Sequence, residues 1–196
     1  MAEVTKTTLS KFKSALVHGG ARPSLFSLSI TAQPSGFAAQ STALSGLVPF
    51  HCTVAEIPGL EVTPIEKQYF GRTTKIPGDI TFAGTFSTTF INTEDFAVRN
   101  ALEIWTDGLN SVTTNLYATG LHAVWAGTVR LTQFNKTGGS VIHYDFQDCW
   151  PSNLSAIDLS YDSVSTIEEF TVTWEYNYYT TAIGTGLGTK TDTVHT

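Results

Sequence analysis

The chain has 196 residues, of which 41% are hydrophobic and only 14% are charged, and its net charge is −6. This composition allows a sizeable core and excludes global disorder; without clustered Lys and Arg, a protein that grips nucleic acid through its phosphates is also excluded. Residues 1–24 lack a signal-like apolar segment, and no run approaches the roughly 18 apolar residues of a membrane span. We therefore expect neither membrane insertion nor standard secretion, and Cys52 and Cys149 should be reduced thiols.

The N-terminal part of the chain divides into a polar segment and a first strand. Residues 1–23 are predicted to form an N-terminal arm with a short helix over 7–17. A single β domain is expected over residues 24–179. It opens with a strand over 25–30, in which apolar residues alternate with serines.

The next segment is predicted to contain a loop, a strand and a projecting hairpin. Residues 31–48 are rich in Ala, Ser and Gly and are expected to form an extended loop. A strand over 50–57 should end at the Pro58-Gly59 turn, because Pro fixes φ and Gly allows a positive φ. Residues 60–77 are of β type without strict alternation, so we expect a long hairpin arm that leaves the domain.

A strand and a helix follow the arm. Residues 79–91 place aromatic residues on one strand face, together with Ile80. Helical spacing then predicts a helix over 94–109, capped by Asn92 or Thr93, with an acidic first turn that suits the helix dipole. The predicted core residues of this segment are Phe82, Phe86, Phe90, Phe96 and Trp105.

Four further strand-like segments complete the domain. They cover residues 124–134, 141–150, 157–161 and 170–178, and the last has the clearest alternation. The predicted core residues here are Trp150, Phe170, Val172 and Trp174. Residues 180–196 are rich in Gly and Thr and are expected to be a flexible C-terminal tail.

Histidine, cysteine and acidic residues provide only weak candidates for chemistry. His51-Cys52 with His143 and Cys149 mixes zinc-ligating residue types, but adjacent strand residues point to opposite faces and the spacing is not that of a zinc site. His143 with nearby aspartates suggests hydrolysis, yet no G-x-S-x-G elbow supplies a nucleophile. The interpretation we favour is therefore no catalytic residue, no metal and no cofactor.

Three other patterns suggest a function but have simpler structural explanations. Residues 184–191 resemble a phosphate-binding loop, but Thr189 replaces the Gly required before Lys190. Glu168 and Glu169 are neighbours on a predicted strand and would face apart. The aromatic stripe of 170–178 could stack on sugars, although such a stripe more often forms the core face of a sheet.

Several short motifs, in a consistent order over about two-thirds of the chain, resemble the tail tube proteins of contractile-tailed bacteriophages. The longer connection at 31–48 and the tail beyond Tyr179 depart from that pattern. The matching pieces are 21–26, Phe50-His51-Cys52, Ile57-Pro58-Gly59, 72–79, the Phe-rich strand and its helix, Cys149-Trp150-Pro151-Ser152-Asn153, 159–163 and 167–173 with Tyr176 and Tyr178.

The resemblance implies a β-sandwich or barrel with one flanking helix, and six copies per ring with rings stacked into a hollow tube. It implies a sheath outside, a tape measure protein within, and baseplate and tail terminator proteins at the ends. DNA would pass the lumen without specific binding, in a virion assembled in the host bacterial cytoplasm. The negative charge fits a lumen that repels phosphates.

The arm is the predicted contact between subunits, because thinly protected strand edges suit a subunit that polymerises. Its predicted interface residues are Val62, Ile65, Tyr69, Phe70, Arg72, Lys75 and Ile76. Two alternatives stay open: a tube subunit of a related injection or secretion system, and a monomeric carbohydrate-binding β-sandwich that uses the aromatic stripe.

Overall fold

A seven-stranded antiparallel sheet and a separate two-stranded hairpin dominate the computed structural model, which describes residues 9–16, 20–33, 41–116 and 126–183. None of the helices in these ranges is both long and apolar enough to cross a bilayer. In chain order the elements are α1 (Leu9–Ala15), β1 (Phe26–Ala32), α2 (Ser41–Gly46), α3 (Val48–His51), β2 (Cys52–Ala55), β3 (Leu60–Tyr69), β4 (Arg72–Phe82), β5 (Thr85–Ile91), α4 (Ala97–Leu109), β6 (Gly127–Phe134), β7 (Ser140–Leu154), β8 (Glu169–Glu175) and β9 (Tyr178–Ile183).

The long strand β7 joins the two halves of the sheet. The strand order is β1-β6-β7-β8-β5-β2, with β9 also paired to β7. The first part of β7 pairs with β6 and β9, and the part from Trp150 onward pairs with β8. The change of partner follows Asp148, whose φ is 54° and whose carboxylate accepts a hydrogen bond of 3.0 Å from the Asn177 amide. The predicted mostly β fold is confirmed, as an open sheet rather than a closed barrel.

Aromatic side chains fill the space between the two halves. Phe86 of β5 stacks on Phe146 of β7 with ring centroids 4.2 Å apart. Trp174 lies beside them, and its indole N–H donates a buried hydrogen bond of 2.8 Å to the Thr88 hydroxyl. Phe90, Phe170, Val172 and Trp105 are also buried. Because buried and more exposed residues alternate along β5 and β8, one face of each strand contributes its side chains to this core.

The helix α4 begins at Ala97, three residues later than the predicted start at 94. The predicted cap at Asn92 or Thr93 is wrong, because Phe96 holds the cap position with a left-handed φ of 52°. Phe96 is also 45% exposed rather than part of the core. Asp95 accepts hydrogen bonds from the Thr93 hydroxyl and the Ala97 amide, and the hydroxyl bond is the main reason that the pKa of Asp95 is lowered.

Two short helices replace part of the loop predicted over 31–48. The strand β1 continues to Ala32, and the short helices α2 and α3 follow it, in addition to the predicted helix that became α4. Leu44 and Val48 of these helices are fully buried, which explains why a polar segment becomes helical: tertiary packing outweighs its weak local preference. The helix α3 also takes Phe50 and His51 out of the strand predicted over 50–57.

Four other predicted features differ from the structure. The strand predicted over 79–91 is interrupted at Gly84, whose φ is 77°, and Ile80 is 58% exposed. The strand predicted over 141–150 continues through Pro151 to Leu154, because β7 pairs only with β8 there and tolerates the missing N–H at a bulge. Residues 157–161 form no strand, and β9 extends to Ile183, into the predicted tail, whose remainder lies outside the described residues.

Candidate assembly interface

The hairpin of β3 and β4, called the arm from here on, extends from residue 60 to residue 82. All ten residues of β3 are exposed. At about 3.3 Å per residue, such a strand is about 33 Å long. Phe82 anchors the base of the arm against Tyr179, with ring centroids 5.2 Å apart. The projecting hairpin predicted from the sequence is confirmed, and it includes five residues beyond Pro77.

The turn at the tip of the arm places an aromatic residue in an unfavourable conformation. Phe70 and Gly71 connect the strands with φ angles of 47° and 73°, as in a type I′ turn. Asn-Gly is the preferred pair for this turn, whereas a bulky residue in the left-handed region costs about 1–2 kcal/mol. The Phe70 side chain is nevertheless 89% exposed and contacts the Tyr69 ring at 4.6 Å, edge to face. Local folding preferences therefore do not explain this phenylalanine, and a contact outside the subunit would.

Strand register divides the predicted interface residues between two faces of the arm. Ile65 lies opposite Ile76, and Tyr69 lies opposite Arg72, so these four residues share one face. Lys75 lies on the other face, where its ammonium is 3.1 Å from the Glu66 carboxylate. The structure thus brings four predicted residues together and separates Lys75 from them.

A bulge separates Val62 from this group. The strands are in register at Pro64 and Pro77 and again at Val62 and Ile80, with an extra residue on β4 between these pairs. A Cβ atom at Gly78 would collide with the Thr63 carbonyl oxygen, so this bulge requires glycine. Val62 therefore belongs to the base of the arm.

A second exposed apolar segment, residues 156–169, is called the acidic loop from here on. It carries four carboxylates and no basic residue. Its exposed apolar side chains are Leu159, Tyr161, Val164 and Ile167. The loop surrounds an open hollow of about 630 Å³, within the range of roughly 300–1,000 Å³ of protein binding pockets. This surface was not predicted from the sequence, although a segment with four acidic residues and no basic residue could have indicated it.

His143 and the two aspartates that were considered for catalysis form hydrogen bonds and an ion pair with other side chains. Asp145 forms a two-pronged ion pair with Arg130, at 2.6 and 2.9 Å, which raises the pKa of the arginine. His143 lies 3.3 Å from the Thr132 hydroxyl through Nδ1. The Asp148 carboxylate accepts a hydrogen bond from the Asn177 side-chain amide. Asp145 and Asp148 are thus engaged in structural contacts with Arg130 and Asn177.

The cysteines are free thiols with suppressed reactivity. Burial raises the pKa of Cys52 to about 12 and raises that of Cys149 well above its ordinary value. Thiolate is the nucleophile and metal ligand, so neither residue is primed for these roles. The described ranges contain no group of three or more His, Cys, Asp or Glu side chains placed to hold a metal. The segment 184–191 lies outside them.

The aromatic stripe of the last predicted strand is a core face. Phe170, Val172, Trp174 and Tyr176 are each at most 3% exposed. Only Tyr178, at the start of β9, is exposed. A buried ring cannot stack on a sugar, so the stripe is not a carbohydrate-binding platform.

Known proteins resemble this chain in sequence. The sequence model of the family described as "phage tail tube protein" matches residues 21–182. The tail tube protein gp19 of Enterobacteria phage T4 is 24% identical over 149 residues, which cover 76% of this chain and 90% of that protein.

Solved structures from contractile systems have the same fold. One chain is from the sheath-tube complex of an extracellular contractile injection system, PVC, in the extended state; it has a TM-score of 0.55 and 14% identity, and covers 91% of this chain and 99% of its own. A chain from the tube-terminating cap of the anti-feeding prophage has a TM-score of 0.59 and 14% identity, and covers 93% of this chain and 99% of its own. The family match spans most of the chain. The chain therefore belongs to the phage tail tube protein family.

Proposed function

We propose that this protein is the structural subunit of a contractile phage tail tube, in which hexameric rings stack into a hollow conduit for DNA ejection. It acts by assembly rather than by catalysis. Its relatives are structural tube proteins, which supports this role.

The observation that carries the proposal is the arm with its exposed aromatic tip. An isolated two-stranded hairpin is only marginally stable in water, and one with apolar residues along a face is a liability for a monomer. The arm of a subunit that polymerises would be covered by neighbouring copies, which removes both problems. Phe70, held in the left-handed region at the tip, is the clearest sign that the arm is shaped for a partner.

The proposed partners follow from this role. Copies of the chain form the rings, a sheath protein covers the tube, and a tape measure protein fills it. Baseplate and terminator proteins close its ends. DNA passes without specific binding, because a chain with net charge −6 and no basic tract offers phosphates little attraction. The proposed location is the virion, after assembly in the host cytoplasm.

A tube subunit of a contractile injection system is the second candidate. It is favoured by the fold likeness to chains from the PVC and anti-feeding prophage particles. The two candidates differ in cargo and not in assembly. Genes for a sheath and baseplate next to capsid genes would support the phage tail, and the same genes without a capsid would support an injection system.

Assembly of the purified full-length protein tests the proposal. We expect sixfold rings or tubes in negative-stain electron microscopy, at concentrations where sedimentation shows loss of monomer. The control replaces residues 61–81 with Asn-Gly, since Leu60 and Phe82 already pair and can flank a two-residue turn. This variant should be a folded monomer. Normal tubes from it would contradict the role of the arm.

A further inference from the structure

The tip of the arm is basic as well as aromatic. Lys67 and Arg72 lie on the face that carries Tyr69. The single acidic side chain of residues 64–77, which lie beyond the bulge, is Glu66, and it pairs with Lys75 on the opposite face. Within the described part of the chain, Lys67 and Arg72 have no ion-pair partner. The tip face therefore presents two positive charges around exposed aromatic rings.

The acidic loop presents the complementary surface. Asp158 and Asp162 are exposed beside Leu159 and Tyr161, and neither aspartate forms an ion pair with another described residue. The loop is held by its own turns, including a backbone hydrogen bond of 3.2 Å from Ser163 N–H to the Ser160 carbonyl. An aromatic tip flanked by cations thus matches a hollow of mixed lining, in which exposed apolar side chains such as Leu159 and Tyr161 lie beside carboxylates.

We propose that the arm tip of one copy, centred on Phe70, docks into the acidic loop of a neighbouring copy. This inference rests on the proposed tube function and names the surface that receives the arm. Charge complementarity selects a second copy as the occupant, with Lys67 and Arg72 facing Asp158 and Asp162. The two surfaces are different patches of one chain, so the contact is head-to-tail. Such contacts generate closed rings or open helical filaments, as a tube requires.

Charge reversal on each surface tests the pairing. The first variant carries Lys67→Glu and Arg72→Glu, and the second carries Asp158→Lys and Asp162→Lys. Each should raise the concentration needed for assembly by at least about tenfold, because like charges would then meet in the contact. The combination of all four substitutions should return it to within about threefold of the unmodified chain. Circular dichroism should show an unchanged fold, since all four side chains are exposed.

Disulfide cross-linking between engineered cysteines tests the contact directly. With Cys52→Ser as the background, and at protein concentrations above the assembly threshold that loss of Phe70 raises, Phe70→Cys combined with Tyr161→Cys should give disulfide-linked dimers and higher oligomers under mild oxidation. Phe70→Cys combined with Val112→Cys is the matched control, because Val112 is 85% exposed and lies outside the loop. The control pair should give no more product than Phe70→Cys alone.

The outcomes separate this inference from the proposed function. Tubes from the unmodified chain, without rescue by the fourfold variant and without the Phe70–Tyr161 cross-link, would overturn the docking and leave the tube function standing. Cross-links between copies that never form rings or tubes would support the docking and refute the tube function. Rescue together with cross-linking, in a chain that forms rings or tubes, would support both.

Discussion

Replacement of Phe70 by Asn separates the folding of the arm from its contact with a partner. Phe70 occupies the first turn position with a φ of 47°, and Gly71 follows it. The substitution creates the Asn-Gly pair that this turn prefers and relieves part of the cost of about 1–2 kcal/mol for a bulky left-handed residue. The monomer should therefore be as stable as the unmodified chain, or more stable by up to about 1 kcal/mol.

Assembly should respond in the opposite direction. Burial of a phenylalanine side chain is worth about 1.5–3 kcal/mol, which corresponds to roughly a 10- to 150-fold change in an association constant. Since Phe70 is 89% exposed in the subunit, nearly all of its apolar surface is available for burial by a neighbour. We expect Phe70→Asn to raise the assembly threshold, measured by sedimentation and light scattering, by about this factor.

Val112→Asn removes a similarly exposed apolar side chain outside the arm, and should leave the threshold within about threefold. Urea denaturation of all three proteins gives the stability of each monomer. If Phe70→Asn assembles like the unmodified chain, the tip is not a contact, and its unusual conformation has another cause.

Three further predictions concern the core, the arm and a thiol. Thr88→Val leaves the indole N–H of Trp174 without its 2.8 Å partner, and should lower the free energy of unfolding in urea by about 1–3 kcal/mol; a loss below about 0.5 would contradict the assignment. Gly78→Ala should push Thr63 away and weaken assembly while the unfolding midpoint stays unchanged, whereas a large loss of stability would show that the arm folds with the core. Cys52, with a pKa of about 12, should react with maleimide at pH 8 far more slowly in the native protein than in urea; equal rates would contradict the raised pKa.

Local patterns predicted the parts of the fold that local forces determine. Alternation along β8 identified the buried face with Phe170 and Trp174, because successive side chains of a strand point to opposite sides wherever the strand lies. Helical spacing identified the buried side of α4 in the same way. The arm followed from β-type residues bounded by turn signals.

Errors arose where a tertiary contact or a single backbone angle decides the structure. The helix α2 has a weak local signal and depends on the burial of Leu44. Alternation over 157–161 resembles a strand, but no neighbouring strand pairs with it. Phe70 was correctly placed in the arm, yet its position in the turn depends on a register that only pairing across the hairpin reveals.

Electron microscopy of the purified full-length chain tests the central claim most directly. The claim is that the subunit assembles with itself through the arm. We predict sixfold rings or hollow tubes from the unmodified chain, and dispersed monomers from the variant in which Asn-Gly replaces residues 61–81. A chain that stays monomeric at every attainable concentration, or an armless variant that forms normal tubes, would contradict the account.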